Sequence, residues 1–347
     1  MAPQFSRILP AVRRRSARWL SIIRLLPLAG GPLLCAALLL NTLIGLLPTA
    51  FIVLTSVMLS RLPEAAAITE TGRPWSVLGP ALALAVTAFV LQQLLAPFQT
   101  ALGEVVSRRI DGACIQRLMT ASLATPLSVL ERSDVLDTLN DARTGFDRAL
   151  PTPGDAAAGA LALIARYGQL AGAVVLLGVV LDPLIALLVG VVALVIRFGQ
   201  RGSLGRFAAL WGSLAPARRK VTYLRELASG TSAAKEIRVL GLLSWLRDRH
   251  TTDTRGYLDP LWAGRRRILG PPFVGYALVG LVGGGIALVF LARTAAGGEL
   301  SLLALSLSIQ AILIPMRFGV FFPESDVQTQ YGLQAYDAIR SFEKAAQ

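Results

Sequence analysis

The sequence predicts an all-α, polytopic membrane protein: six transmembrane helices with two long helical extensions on the cytosolic side. Three observations carry that prediction. The 347 residues are 54% hydrophobic and 16% charged, with a mean hydropathy of +0.60, whereas about a quarter of an ordinary globular domain is charged. The apolar residues are gathered into six spans. The connections between spans run short, long, short, long, short, and the two long ones are basic and helix-forming. A pore needs no such arms, but a machine driven from outside the bilayer does.

The spans read Leu33 to Leu59, Val77 to Phe98, Ala160 to Leu181, Leu184 to Ile196, Ile268 to Ala292 and Leu300 to Phe322. At 1.5 Å per residue, a helix of about 22 residues covers roughly 33 Å, enough for a hydrocarbon core of about 30 Å. The fourth span is short, so it must borrow Phe198 while Arg197 snorkels to the headgroups. Leu33 to Leu59 is too long for the core of a secretory signal peptide and is expected to remain as a helix. One membrane domain, 33–322, is therefore expected, with long loops at 99–155 and 197–267. Residues 1–32 precede it and 323–347 extend beyond it into the cytosol.

A net charge of +13 would suggest nucleic acid in a soluble protein. Here the basic residues are sorted by loop: thirty Lys and Arg fall on the side of the termini and long loops, against three on the other side and Arg166 within the third span. The positive-inside rule then places both termini and both long loops in the cytosol of a cell membrane. Lipid is the expected partner, and nucleic acid is not. Before the first span, Trp19, Ile22, Ile23 and Leu26 recur at helical spacing beside Arg18 and Arg24, as in an elbow helix lying on the membrane surface. Gly30-Gly31-Pro32 turns the chain inward.

In the first long loop, Val105, Val106, Ile110, Ile115 and Leu118 form a helical stripe that extends the second helix beyond the lipid until Thr125-Pro126. A short segment, Leu127 to Ser133, and a helix from Asp134 through Asn140 follow, with Pro151 and Pro153 bending the returning arm. The second loop repeats the plan. One arm descends through Leu204, Phe207, Leu210 and Trp211, a break falls at Ser229-Gly230, and the returning arm carries Ile237, Leu240, Leu243, Leu246 and Leu261.

No stretch matches the G-x-x-x-x-G-K-[ST] turn that cradles nucleotide phosphates, so the chain alone is not expected to hydrolyse ATP that way. The single histidine, His250, reads as a solvated residue and nearly excludes histidine-based metal or acid–base chemistry. Cys35 and Cys114 read as packing residues rather than a disulfide. No catalytic residue, metal ligand or bound cofactor is expected on this chain.

Descending arm, short turn and returning arm resemble the intracellular loops of ATP-binding cassette (ABC) exporters. The most telling stretch runs from Ala233 through Lys235, Glu236, Ile237 and Arg238 to Leu242, preceded by Tyr223-Leu224-Arg225-Glu226-Leu227; it is similar to the second intracellular loop of bacterial exporters. The resemblance covers the whole chain in topology, and its residue-level signal lies in this loop. It implies the six-helix exporter fold, a second membrane domain as partner, identical or not, and ATP-binding domains that supply ATP and Mg. In that family an ATP-binding domain commonly follows the sixth helix; here 25 residues follow Phe322. The resemblance places a first coupling segment at Leu127 to Ser133 and a second at about Leu224 to Ser232. Leu127, Val129 and Leu130 would then offer apolar knobs to a cleft, with Glu131, Arg132, Arg225 and Glu226 pairing around its rim. Glu236 and Arg238 would brace the returning arm through ion pairs.

Within the spans, Asn41, Gln92, Gln93, Gln169 and Gln310 are polar, and Arg166 is charged. Such groups are costly against hydrocarbon and should face helix partners or a water-filled substrate cavity. Pro48, Pro97 and Pro315 interrupt their spans, and Gly280, Gly283, Gly284 and Gly285 loosen the fifth or permit close contact. The expected function is the membrane part of an exporter, its cavity switched by alternating access; the cargo is not legible. Two alternatives stand beside it: a non-transporting scaffold or regulator that keeps the fold, and a secondary carrier. The spans contain no Asp or Glu, which counts against proton coupling.

Overall fold

Helices account for all the regular structure of the described residues in the computed structural model, which are 20–68, 75–146, 151–318 and 323–346. After a short 3-10 turn at Leu26–Ala29, the helices are α1 Gly31–Ser60, α2 Leu62–Ile68, α3 Trp75–Ala124, α4 Leu127–Leu130, α5 Ser133–Thr144, α6 Pro153–Val180 and α7 Pro183–Ser213. They continue with α8 Ala215–Ser229, α9 Ala234–Val239, α10 Leu243–Ala296, α11 Leu302–Arg317 and α12 Pro323–Ala345. Five of them, α1, α3, α6, α7 and α10, are long and apolar enough to cross a membrane. The chain is a multi-pass membrane protein.

The span expectations need two corrections. The fourth does not stop at its apolar run: α7 continues through the descending arm as one helix of 31 residues, despite Gly199, Gly202 and Gly205. Arg197 does not snorkel; it is 1% exposed. The sixth span is represented by α11, whose 16 residues fall short of a crossing on their own; residues 319–322 lie outside the described residues. Nor do the prolines break their spans. Pro48, Pro97 and Pro315 each sit inside a continuous helix.

The chain divides into two compact units. One comprises Met1–Leu194 with Gly280–Gln347, the other Val195–Val279. In the first, α1, α3, α6, α11 and α12 pack together. A seam of small residues brings α1 and α6 into near backbone contact: a Cβ on Gly45 would meet the Ala165 carbonyl oxygen at 2.8 Å, Gly168 faces Gly45, and Gly172 faces Thr49. Without a hydrophobic drive between helices in lipid, such close approach is what holds them. Gly283 and Gly284 similarly admit Val192 and Met316, so these two glycines serve packing.

Below the seam, Leu25, Val106, Ile110, Leu161, Ile339 and Phe342 share one core with every side chain at or below 2% exposure. Each such burial stabilises the fold by about 1.5–3 kcal/mol. The stripe before the first span is thus corrected in part: Ile22 and Leu25 face the protein's own interior, while Ile23 is exposed and Trp19 and Arg18 lie outside the described residues. Gly30, at φ +90°, makes the inward turn. The segment beyond Phe322 is no free tether, since α12 buries Leu333, Tyr336, Ile339 and Phe342 against α5 and α6. Arg117 clamps it with a bidentate pair to Glu343, at 2.8 and 3.1 Å. Cys114 packs in the same core, where burial pushes its thiol up to about 11; both cysteines are free.

Pro153 does not bend a continuous arm. It opens α6 at its first turn, where Thr152 and Asp155 form a capping box. Asp111 of α3 accepts from the Gly154 N–H at 2.7 Å and from the Thr152 hydroxyl at 2.6 Å, and the Ser107 hydroxyl donates to Asp155 at 2.8 Å. The close approach requires glycine, because a Cβ on Gly154 would overlap the Ser107 backbone.

Gly154→Ala is therefore expected to lower stability by about 1–3 kcal/mol through overpacking. Gly112→Ala, on the same α3 where a Cβ meets nothing, should be neutral or raise stability by up to about 1 kcal/mol. Thermal unfolding of the purified protein in detergent compares the two.

Candidate functional sites at the two helical tips and in the bundle

The first tip forms where α3 ends. Pro126, extended at φ −56° and ψ 142°, cannot continue the helix, and its carbonyl accepts from the Val129 and Leu130 amides to start the single turn of α4. That turn settles which apolar residues stay free. Leu127 is 67% exposed, but Val129 and Leu130 fold back against the unit's own core. The three-knob expectation is corrected to one knob. Glu131 is exposed and caps α4 through its backbone. Arg132 instead grips Asp134 with two bonds of 2.8 and 3.2 Å, and that bond holds the carboxylate below its ordinary value.

Residues outside the expected segment add to this tip. Met119 and Leu123 are 58% and 84% exposed on the last turns of α3. Together with Ile115, Leu118, Leu139 and Phe146 they line an apolar cavity of about 420 Å³ between α3 and α5. Sequence reasoning stopped the stripe at Leu118 and missed them; the signal was two more apolar residues, at helical spacing, before Pro126.

The second tip lies in the Val195–Val279 unit. α7 and α10 pack there through Gly264 against Leu210, and Trp211 meets Tyr257 edge to face at 6.3 Å. Arg218 stacks over Trp211 at 5.1 Å. Asp253 draws in both Lys220 and Arg249, at 3.2 and 3.0 Å. His250, expected to be solvated, is half-buried. On α8, Tyr223 is 62% exposed and Leu224 is buried, while Arg225 and Glu226 are exposed and Glu226 terminates the helix by accepting the Gly230 amide at 2.7 Å.

Glu236 and Arg238 stand exposed on α9 and join no ion pair among the described residues; the bracing expectation is not met. The returning stripe is also corrected. At the end of α9 the Leu242 amide bonds to Ile237 O and the Gly241 amide to Arg238 O, with Gly241 at φ +63°. This is a Schellman stop, which needs a left-handed residue and so selects glycine. It breaks the helical phase. Leu240 and Leu243, which the stripe placed beside Leu246, are 67% and 72% exposed, while Leu246 and, farther along, Leu261 are buried. With Val239 at 75% and Trp245 at 58%, they make a bare apolar surface.

The polar residues of the spans do not converge on one cavity. Asn41, 4% exposed, donates to Ala37 O and accepts from Gln99 of α3 at 2.7 Å. Gln310 reaches Ser56 of α1 at 3.2 Å and Thr55 at 3.5 Å. These two residues join helices. Gln92 and Gln169 are half-buried, and Gln93 and Arg166 are exposed; three cavities along the α3 extension are lined by other residues. Gln99 had been assigned to a loop, because it falls one residue past the apolar run. No group of His, Cys, Asp or Glu among the described residues could hold a metal ion.

No protein-family description matches this chain, and no curated protein matches it.

Asp111 offers a pH readout on the α3 extension. Burial pushes its carboxyl above the ordinary value and the Asp155 charge adds to that, while the Thr152 and Gly154 donors offset it in part. A carboxyl raised on folding contributes stability that is full below its unfolded value and is lost as pH rises through the folded one. The stability of the wild type relative to Asp111→Asn should therefore fall as pH rises above the ordinary carboxylate value. Denaturant or thermal midpoints across that range measure it, and a difference that grows with pH would contradict the assignment.

Proposed function

We propose that this chain is the membrane-spanning part of an ATP-driven exporter of the ABC kind. The observation that carries the reading is the length of two helices. α3 and α10 have 50 and 54 residues, about 75 and 81 Å, more than twice the hydrocarbon thickness of about 30 Å. Each continues past its apolar part to a tip built of a short helix with uncovered apolar side chains. On the charge distribution, both tips lie in the cytosol.

In this reading the tips receive two ATP-binding domains, which hold ATP and Mg; this chain binds neither. Leu127 with Glu131 forms one contact. Tyr223, Arg225 and Glu226, with Glu236 and Arg238 nearby, form the other, while Val129, Leu130 and Leu224 hold the tips in shape from beneath. A second membrane domain completes the cavity for the cargo, with Gln92, Gln93, Arg166 and Gln169 as its candidate polar lining. Asn41 and Gln310 tie helices instead. Closure of the ATP-binding domains tilts the long helices as rigid levers, and the cavity opens to the other side. Rigid levers transmit displacement because packed interfaces deform in discrete steps.

The test is co-purification of the full chain with its candidate ATPase subunits and measurement of vanadate-sensitive ATP hydrolysis in lipid. Leu127→Glu and Tyr223→Ala should each reduce cargo-stimulated hydrolysis about tenfold, the loss of an interface anchor of roughly 1.4 kcal/mol or more, with the melting temperature unchanged. Absence of any bound ATPase would instead favour a scaffold.

A further inference from the structure

At the start of the apolar part of α10, the helix changes character along a single face. Trp262, the adjacent pair Arg265 and Arg266, Leu269 and Phe273 recur so that each lies three or four residues from another of the set, which places them on one side of an α-helix. The Arg265 guanidinium lies 5.0 Å from the Trp262 ring centroid, which pins an otherwise mobile cation. Trp262 is 49% and Phe273 66% exposed, Arg265 and Arg266 are exposed and Leu269 is half-buried. Arg267 is exposed on the adjoining face. Neither Arg266 nor Arg267 has an ion-pair partner among the described residues. The nearest carboxylate along the helix, Asp259, sits about 9 Å lower along the axis from Arg265, and Asp253 is already engaged by Lys220 and Arg249.

We propose that this face binds an anionic phospholipid of the inner leaflet, its phosphate between Arg265 and Arg266 and its acyl chain along Leu269 and Phe273. The vertical order matches the ligand. From Arg266 to Phe273 is about 10 Å along the helix, so the cations sit at headgroup depth when the phenyl ring lies among the acyl chains. Trp262 belongs at the same interface, where its ring is apolar and its N–H is wet. Two neighbouring guanidiniums can each place two donors on a phosphate, and clustered arginines just cytosolic of a span attract anionic lipid. A soluble phosphate would satisfy the cations but not the half-buried Leu269 and the exposed Phe273. The inference rests on the membrane reading of α10 and its orientation; it does not involve ATP, so its failure leaves the exporter reading standing.

The experiment uses the full-length chain in detergent, titrated with phosphatidylglycerol or phosphatidylcholine of identical acyl chains and read by native mass spectrometry. Phosphatidylglycerol should bind at several-fold lower concentration. Arg265→Gln with Arg266→Gln should weaken its binding by about fivefold per arginine and that of phosphatidylcholine, whose choline cation offsets its phosphate, by clearly less, so that the preference is lost, whereas Phe273→Ala should weaken both lipids. Equal uptake of the two lipids by the unaltered protein overturns the proposal whether or not any variant folds. So does a folded double variant that keeps the preference. Displacement of the lipid by excess inorganic phosphate would reassign the arginines to a free anion, and protection of the face by a second copy of the chain would reassign it to an interface.

Discussion

The first turn of α6 is the point on which the larger unit depends. Three helices converge there: α3 lays its Ser107 backbone against Gly154, and α12 brings Gly332 against the Thr152 carbonyl and Ala156. Contacts this close leave no room for water, so every polar group in the turn must find a protein partner. Asp111, Asp155, Thr152 and Ser107 supply them, with both carboxylates at the end of α6 whose free amides favour negative charge. The arrangement costs a buried acid, and the raised Asp111 carboxyl is the sign of that cost. What it secures is rigidity. The extension of α3, the first turn of α6 and the last helix of the chain are packed together there.

Higher in the same unit the constraint changes from polar to steric. Gly45, Gly168 and Gly172 let α1 and α6 touch at their backbones, and the Asn41–Gln99 and Gln310–Ser56 bonds tie α1 to its neighbours. In hydrocarbon an unpaired amide side chain is expensive, so pairing with a neighbouring helix is the cheap solution. That solution removes Asn41 and Gln310 from any cavity. Gln92 and Gln169 are left half-buried, and Gln93 and Arg166 exposed.

The two tips reach their apolar exposure by different physics. At α4, a proline ends the long helix and one tight turn hides two of three apolar residues. At α9, a left-handed glycine stops the helix out of phase, and Val239, Leu240, Leu243 and Trp245 are left bare. Large apolar side chains clustered in the open mark a surface made to be covered.

How much of this was legible before folding depends on range. The sequence by itself determined the helical class, most of the spans and the ends of the arms, because these follow from apolar runs, from charge sorted by loop and from breakers such as Thr125-Pro126 and Ser229-Gly230. It also shows no stretch that matches the P-loop turn. Only the tertiary structure decided which side of each arm is free. Periodicity assumes one helical phase, and the Gly241 stop breaks it, so Leu240 and Leu243 could not be separated from Leu246 by spacing. Likewise Arg197 and Val129 carry the same local signals as residues that stay in the open, yet the first is buried and the second packs partly against the core. The junction of Gly154, Asp111 and Gly332 was invisible for the same reason, since a glycine reveals a backbone contact only when the opposing backbone is in place.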